Sequence, residues 1–186
     1  AGKMTIDNYE LNKLLKNPKL GDLTATIEVN GKGEHINTLN ADIDATVNTF
    51  NFNNYAIDNL TLEGKIKNGT GNLKSKYKDE NINANLVSTI ILDSVAPEIM
   101  LELDVIGANL QALGISNRNI KTGFKLYIDF SGNASRFDAA AILDEGVVVY
   151  DNKTYLLGDV NTLAYVRQDS TSVSIQNKLL DFNLQS

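Results

Sequence analysis

The sequence predicts an all-β protein, laid out as one long antiparallel β-meander with one or two short helices. Three observations carry this. Apolar and polar residues alternate with a period of two over nearly all of the 186 residues. Clusters of Asn, Asp and Gly interrupt the alternation at short intervals, as turns do. The only two prolines, Pro18 and Pro97, fall between alternating runs, where they remove no ladder hydrogen bond.

Taken in order, Asn8 to Leu15 reads as a helix, with Leu11, Leu14 and Leu15 on one side and Asn17-Pro18 as its stop. Residues 1–20 are thus expected to be an N-terminal helix and linker, and 21–186 a continuous sheet, the whole being a single fragment of a larger protein. Leu23, Ala25, Ile27 and Val29 form the first alternating run, and Leu39 to Val47 the second. Leu60–Ile66, Leu73–Tyr77, Ile82–Leu86, Ile99–Val105, Phe124–Phe130, Phe137–Leu143, Val148–Tyr150, Val160–Val166, Val173–Ile175 and Leu180–Leu184 follow. Each run presents one apolar and one polar face, because successive side chains on a strand point in opposite directions. The expected turns are Asn30-Gly31, Asn53-Asn54, Asn68-Gly69, Asp79-Glu80-Asn81, Ser131-Gly132-Asn133 and Asp151-Asn152-Lys153. Between Val105 and Phe124, Asn109 to Leu113 reads as a single helical turn, N-capped by Asn109 and stopped by Gly114. About eleven or twelve strands result.

Two places break phase by one residue, Val47 to Phe50 and Leu143 to Gly146, which is how a β-bulge is written in sequence. Each is followed by the same spacing: Tyr55, Ile57, Asn59 and Leu60 in one case, Tyr155, Leu157, Asp159 and Val160 in the other. The echo suggests a repeated unit of roughly a hundred residues.

Composition narrows function mainly by exclusion. The net charge is −6, and the lysines are scattered or alternate along strands, so a nucleic-acid partner is not expected. There is no Cys for thiol chemistry, disulfides or thiolate metal sites. The one histidine, His35, sits in a Gly33-Glu34-His35 loop without companion ligands. Asp42 and Asp44 share a strand face, but continue a polar row with Asn40, Thr46 and Asn48. No nucleophile, metal or phosphate-loop motif is present, so no enzyme activity, metal or cofactor is expected. N-x-S/T sequons occur, Asn68, Asn133 and Asn152 among them, and Asp93-Ser94-Val95 resembles a short bacterial O-glycosylation motif. No apolar run approaches the ~20 residues of a membrane span, and no signal peptide is visible. Any targeting segment or anchor is expected outside this chain, whose ends both read as cuts.

The order of features resembles the TamB/AsmA-like family, in its Bacteroidota-type version. Gly31-Lys32-Gly33 followed by Leu39-Asn40-Ala41-Asp42-Ile43 is similar to the family's G-x-G … L-N-A-x-I segment. Phe52, Asn53, Tyr55, Ile57, Asn59, Leu60, Leu62 and Gly64 match its next step, and Asn109-Leu110-Gln111-Ala112-Leu113-Gly114 resembles its D-L-K-A-L-G turn, with Asn for Asp. Asp79-Glu80-Asn81-Ile82 stands where the family has D-P-N-L, Glu80 replacing Pro, and Leu179 to Phe182 has a counterpart at the close. The resemblance implies a curved sheet forming an open, taco-like apolar groove, in the periplasm, anchored to the inner membrane by parts outside this chain. It implies a bridge segment that conducts phospholipid or other acyl-chain lipid between the membranes, or aids outer-membrane assembly with an Omp85-type partner. The residues expected to line the groove are Ile43, Val47, Leu62, Leu86, Leu101, Leu103, Leu126 and Ile128. The alternative is a ligand-free structural or adhesive β-sandwich of a bacterial surface protein, with the same apolar face buried as a core.

Overall fold

In the computed structural model the described residues are 1–133, 135–178 and 180–186, the side chain of Leu15 excepted. The parts assigned above to the Leu15 side chain and to Leu179 lie outside them. The chain forms one sheet of thirteen strands: β1 (Gly2–Glu10), β2 (Leu20–Lys32), β3 (Asn40–Phe52), β4 (Tyr55–Lys67), β5 (Thr70–Lys78), β6 (Ile82–Ile91), β7 (Glu98–Asn109), β8 (Ile120–Asn133), β9 (Arg136–Tyr150), β10 (Lys153–Leu156), β11 (Val160–Arg167), β12 (Ser170–Asn177) and β13 (Leu180–Gln185). Every neighbouring pair is antiparallel and follows chain order, except that β10 and β11 both pair with β9. β10 takes the Val147–Tyr150 part of β9 and β11 the Phe137–Leu143 part, so the two are halves of one strand broken at Leu157–Asp159. The sheet is open and does not close into a barrel: β1 and β13 lie at opposite ends of the strand order. Twelve ladder positions at ~4.8 Å make it ~55 Å across.

The N-terminus departs from expectation. Gly2–Glu10 is a strand, and the helix α1 covers only Leu11–Leu15. The cause is local alternation: Met4 and Ile6 face the same side as Ile27 and Ala25, their partners on β2, so the segment gains more as an edge strand than as a helix extension. Lys16 in the left-handed region ends α1 just before Asn17-Pro18. Asn30-Gly31 is also not a turn. Both residues are in the β2 ladder, with Gly31 opposite Ala41, and the reversal falls at 33–39 around a 3-10 turn, Ile36–Thr38. Likewise Gly132 pairs with Phe137, so β8 runs on to Asn133.

The remaining turns match their chemistry. Asn53-Asn54, Asn68-Gly69 and Asp151-Asn152 each hold two consecutive residues at positive φ, the requirement of a two-residue turn whose twist suits a hairpin. Both predicted bulges are present. The register slips where Thr24 and Ala25 meet Thr49 and Val47, and again where Gly123 and Lys125 meet Val147 and Asp144, with Glu145 at positive φ. The two halves of the sequence echo thus share a bulged strand and a two-residue turn, but Tyr55 opens its ladder opposite Phe52, whereas in the second half Lys153 does so and Tyr155 pairs with Val148.

Asn109 to Leu113 forms a hydrogen-bonded turn and not a regular helix, yet its caps are as expected. The Asn109 side-chain oxygen accepts from the amides of Gln111 and Ala112, and Gly114 has φ +66°. Leu113, almost fully buried, packs with Val105 and Ala108, and around them lie Tyr55, Ile82, Ala84, Leu103, Leu110 and Phe124. This is the one buried cluster among the described residues, and it sits at one end of the apolar face.

Candidate functional site

The register places all eight predicted groove residues on one face. Ile43 lies beside Val29 and Gly64, Val47 beside Ala25 and Leu60, and Leu62 beside Ala45 and Ser75. Leu86, Leu103, Leu126 and Leu143 line up across four consecutive strands. Ser88, Leu101, Ile128, Ala141 and Thr162 form the adjacent row. These rows continue to Ile175 and Phe182 at one edge of the sheet and to Met4 and Ile6 at the other. No Asp, Glu, Lys or Arg occupies a position in these rows. Where polar residues enter, they are small or internally bonded: Ser88 is buried, and the Ser75 hydroxyl donates to the Thr61 carbonyl at 2.6 Å.

The face is not covered. All eight predicted residues are half-buried, and no side chain is completely buried among the described residues. The buried apolar set among the described residues is Ala25, Ala41, Ile66, Val105, Ala108 and Leu113, half of them alanines. The accessible surface is 12333 Å², whereas a compact protein of this mass (20.3 kDa) exposes only about 8,800 Å². A second sheet packed on the apolar face would remove most of that excess. Among the described residues all the strands lie in a single open sheet, and no second sheet packs on this face.

One end of the face is closed by the 109–119 loop carrying Leu113. The Asn53 side-chain amide donates to the Gly114 carbonyl and ties this loop to the β3–β4 turn. Beside it, the Asp79 carboxylate accepts from the Tyr55 hydroxyl, from the Tyr77 hydroxyl at 2.9 Å, and from the amides of Asn81 at 2.7 Å and Ile82 at 2.8 Å. Burial pushes the Asp79 carboxyl up, but these donors outweigh it and hold the group below the usual carboxylate range. Burial, and then the hydrogen bond to Asp79, push the Tyr55 phenol up to about 12. The cluster locks the β5–β6 turn and the start of β4 together.

Chemistry-bearing residues lie elsewhere and do not converge. His35 is exposed beside the 3-10 turn. Asp42 is exposed on the outer face, 3.2 Å from the Lys65 ammonium, and Asp44 faces Glu28 and Glu63 across the ladder. Asp93 caps the amides of Val95 at 2.7 Å and Ala96 at 2.9 Å, so Asp93-Ser94-Val95 is a tight, exposed turn. Among the described residues no group of three His, Asp or Glu side chains is placed to hold a metal ion. None of the helices among them is long and apolar enough to cross a membrane.

A second surface escaped the sequence reading. On the opposite face Val87, Met100, Tyr127, Ile142 and Leu163 are exposed on β6, β7, β8, β9 and β11, Leu163 most of all at 59%. The signal was available: each occupies a position in its run where alternation calls for a polar residue.

Fold and site together define an open, single-sheet protein with one uncovered apolar face closed at one end. Comparison of the chain with protein-family models, with curated proteins and with solved structures finds no match.

Proposed function

We propose that this chain is a lipid-binding segment that holds acyl chains along the apolar face, as part of a conduit for phospholipid between the two membranes of a bacterial envelope. The observation that supports it most is the uncharged apolar face of twelve ladder positions, on which the described residues place only the 109–119 loop at one end. Such a face costs free energy in water, at ~25 cal/mol per Å² of exposed apolar area, unless something apolar occupies it. An acyl chain suits it better than a compact ligand, since the surface is long, shallow and without directional polar groups. A chain of ~14 methylenes resting one side on the sheet recovers about half of its ~11 kcal/mol transfer energy. That is weak enough for cargo to move on, where a fully enclosed chain stays bound.

The resemblance to TamB/AsmA-like proteins supplies the cellular setting of this reading: periplasm, an inner-membrane anchor outside this chain, and an Omp85-type partner at the outer membrane. The physical reading of the face stands without it. A photoactivatable C16 fatty acid tests the proposal. Crosslinks are expected at Leu101, Leu103, Leu126 and Ile128. Crosslinks spread equally over Val87, Met100 and Tyr127 on the opposite face contradict it.

A further inference from the structure

The sheet carries a step in its interior, where β9 is longer than the strands that follow it. β10 and β11 share one side of β9, and β12 pairs with β11 alone. β12 stops at Asn177, which pairs back to Leu180 of β13, so no described strand lies on the far side of β10. Gly158, at φ +68°, breaks the line from β10 to β11. The Asn177 side-chain amide donates to the carbonyls of Leu157 at 3.2 Å and Asp159 at 2.9 Å, which fixes the end of β12 at that break. All four residues of β10 are exposed, Leu156 at 80% and Tyr155 at 47%. The hairpin sets the polarity of this edge. Tyr150 and Lys153 flank the two-residue turn Asp151-Asn152 as a hydrogen-bonded pair. Lys153, Tyr155 and Leu157 therefore bond toward β9, and in the same phase the Leu157 amide donates to the Gly146 carbonyl at 2.8 Å. The amides and carbonyls of Thr154 and Leu156 point the other way, into the step. Tyr155, through Val148 and Thr122, lies in the row of Ala108 on the apolar face, and Leu156, beside Val147, lies on the opposite face.

We propose that this step is a docking site for a short extended peptide of a partner protein, which adds to β10 as an antiparallel strand. The chemistry of the edge sets the occupant. Two amides and two carbonyls at alternate residues are matched by another extended backbone, and not by an acyl chain or a helix face. The step is ~13 Å long and closed at one end by Asn177, so it takes a segment of about four residues. Two consecutive apolar residues suit it, one beside Leu156 on the outer face and the next beside Tyr155 on the apolar face. The second is a non-hydrogen-bonded pair, where side chains approach most closely. An acidic residue suits the position opposite Lys153, whose ammonium has no ion pair among the described residues. The brevity of β10 keeps the edge from templating aggregation, as long bare edges do. The inference does not depend on what the apolar face binds.

The probe is acetyl-Val-Phe-Thr-Glu-amide, which runs antiparallel with its Val opposite Leu156 and its Glu opposite Lys153. It is titrated to millimolar concentration into the isotope-labelled chain and followed by amide NMR. The amides of Thr154 and Leu156 are expected to shift and to gain protection from hydrogen exchange, and those of Met100, Leu101 and Tyr127 to stay unmoved. N-methylation of the probe's Val or Thr, whose amides face β10, is expected to weaken binding about tenfold. N-methylation of its Phe, whose amide faces away, is expected to leave binding unchanged. Equal loss for all three methylated peptides, or shifts confined to either face of the sheet, overturns the inference, since both describe an apolar contact without a ladder. The absence of any shift at millimolar probe overturns it as well. So does a chain in which Thr154 and Leu156 exchange as slowly as Tyr155 before peptide is added, which shows the edge already paired with a second copy.

Discussion

Replacing Tyr55 by Phe deletes one hydroxyl and keeps the ring that packs beside Val105, Ala108 and Leu113. The Asp79 carboxylate then loses one of four donors and keeps Tyr77 and the amides of Asn81 and Ile82. A hydrogen bond to an ionised group contributes about 1.5–3 kcal/mol when buried, and the partial exposure here lowers that to about 1–2 kcal/mol at pH 7. For a chain of this size the loss lowers the melting temperature by ~3–6 °C. The pH profile separates this from a packing effect. Asp79 titrates below its ordinary range, so its contribution is present above the usual carboxylate pKa and lost as pH falls through the depressed value. Tyr55 titrates near 12 in place of 10.0, so its contribution is complete below pH 10 and lost as pH rises from there toward 12. Urea titrations at pH 7, 10 and 11.5 should show the wild type weakening steeply over the alkaline interval. Tyr55→Phe should be weaker at pH 7 but lose less between pH 10 and 11.5, the remaining loss coming from Tyr77, whose phenol is also raised. Equal stability at pH 7, or an alkaline loss of unchanged depth, refutes the assigned network.

Three further outcomes follow from the same geometry. Ile128→Asp, in the open row between Leu101 and Ala141, should weaken binding of a fluorescent C16 fatty acid more than tenfold, since at least ~1.5 kcal/mol of apolar contact is lost; its melting temperature should shift by only a few degrees. Leu113→Ala should lower the urea midpoint by the equivalent of ~2–3 kcal/mol, because Leu113 is buried at the closed end. Gly69→Ala should cost more than ~1 kcal/mol, since φ there is +74° and a Cβ would lie 2.6 Å from the Asn37 carbonyl oxygen, as thermal melts will read.

Alternation made most of the sheet legible, because each one-residue slip flips every side chain to the other face and the apolar row must stay together. That is why the bulges at Val47–Phe50 and Leu143–Gly146 could be read from sequence, and why all eight groove residues fell on one face. The N-terminal strand was missed because Leu11, Leu14 and Leu15 offer a helical spacing that outweighed the short Met4–Ile6 alternation. Its status as a strand depends on pairing with β2, a non-local fact. Asn30-Gly31 was misread because a strong turn dipeptide can be held extended when both neighbours lie in a ladder, and Gly31 stands where a Cβ would press on Ala41. Whether the apolar face was a core or a surface could not be read from the sequence, since the same pattern suits both. The burial of so few large side chains decides it.

The most direct test is mass spectrometry of the organic extract of the purified chain, beside Ile128→Asp and a control protein from the same host. The account predicts co-purifying phospholipid or fatty acid with the wild type, much reduced in the variant and absent from the control. A clean extract from a folded wild-type chain that also fails to bind added C16 fatty acid contradicts it.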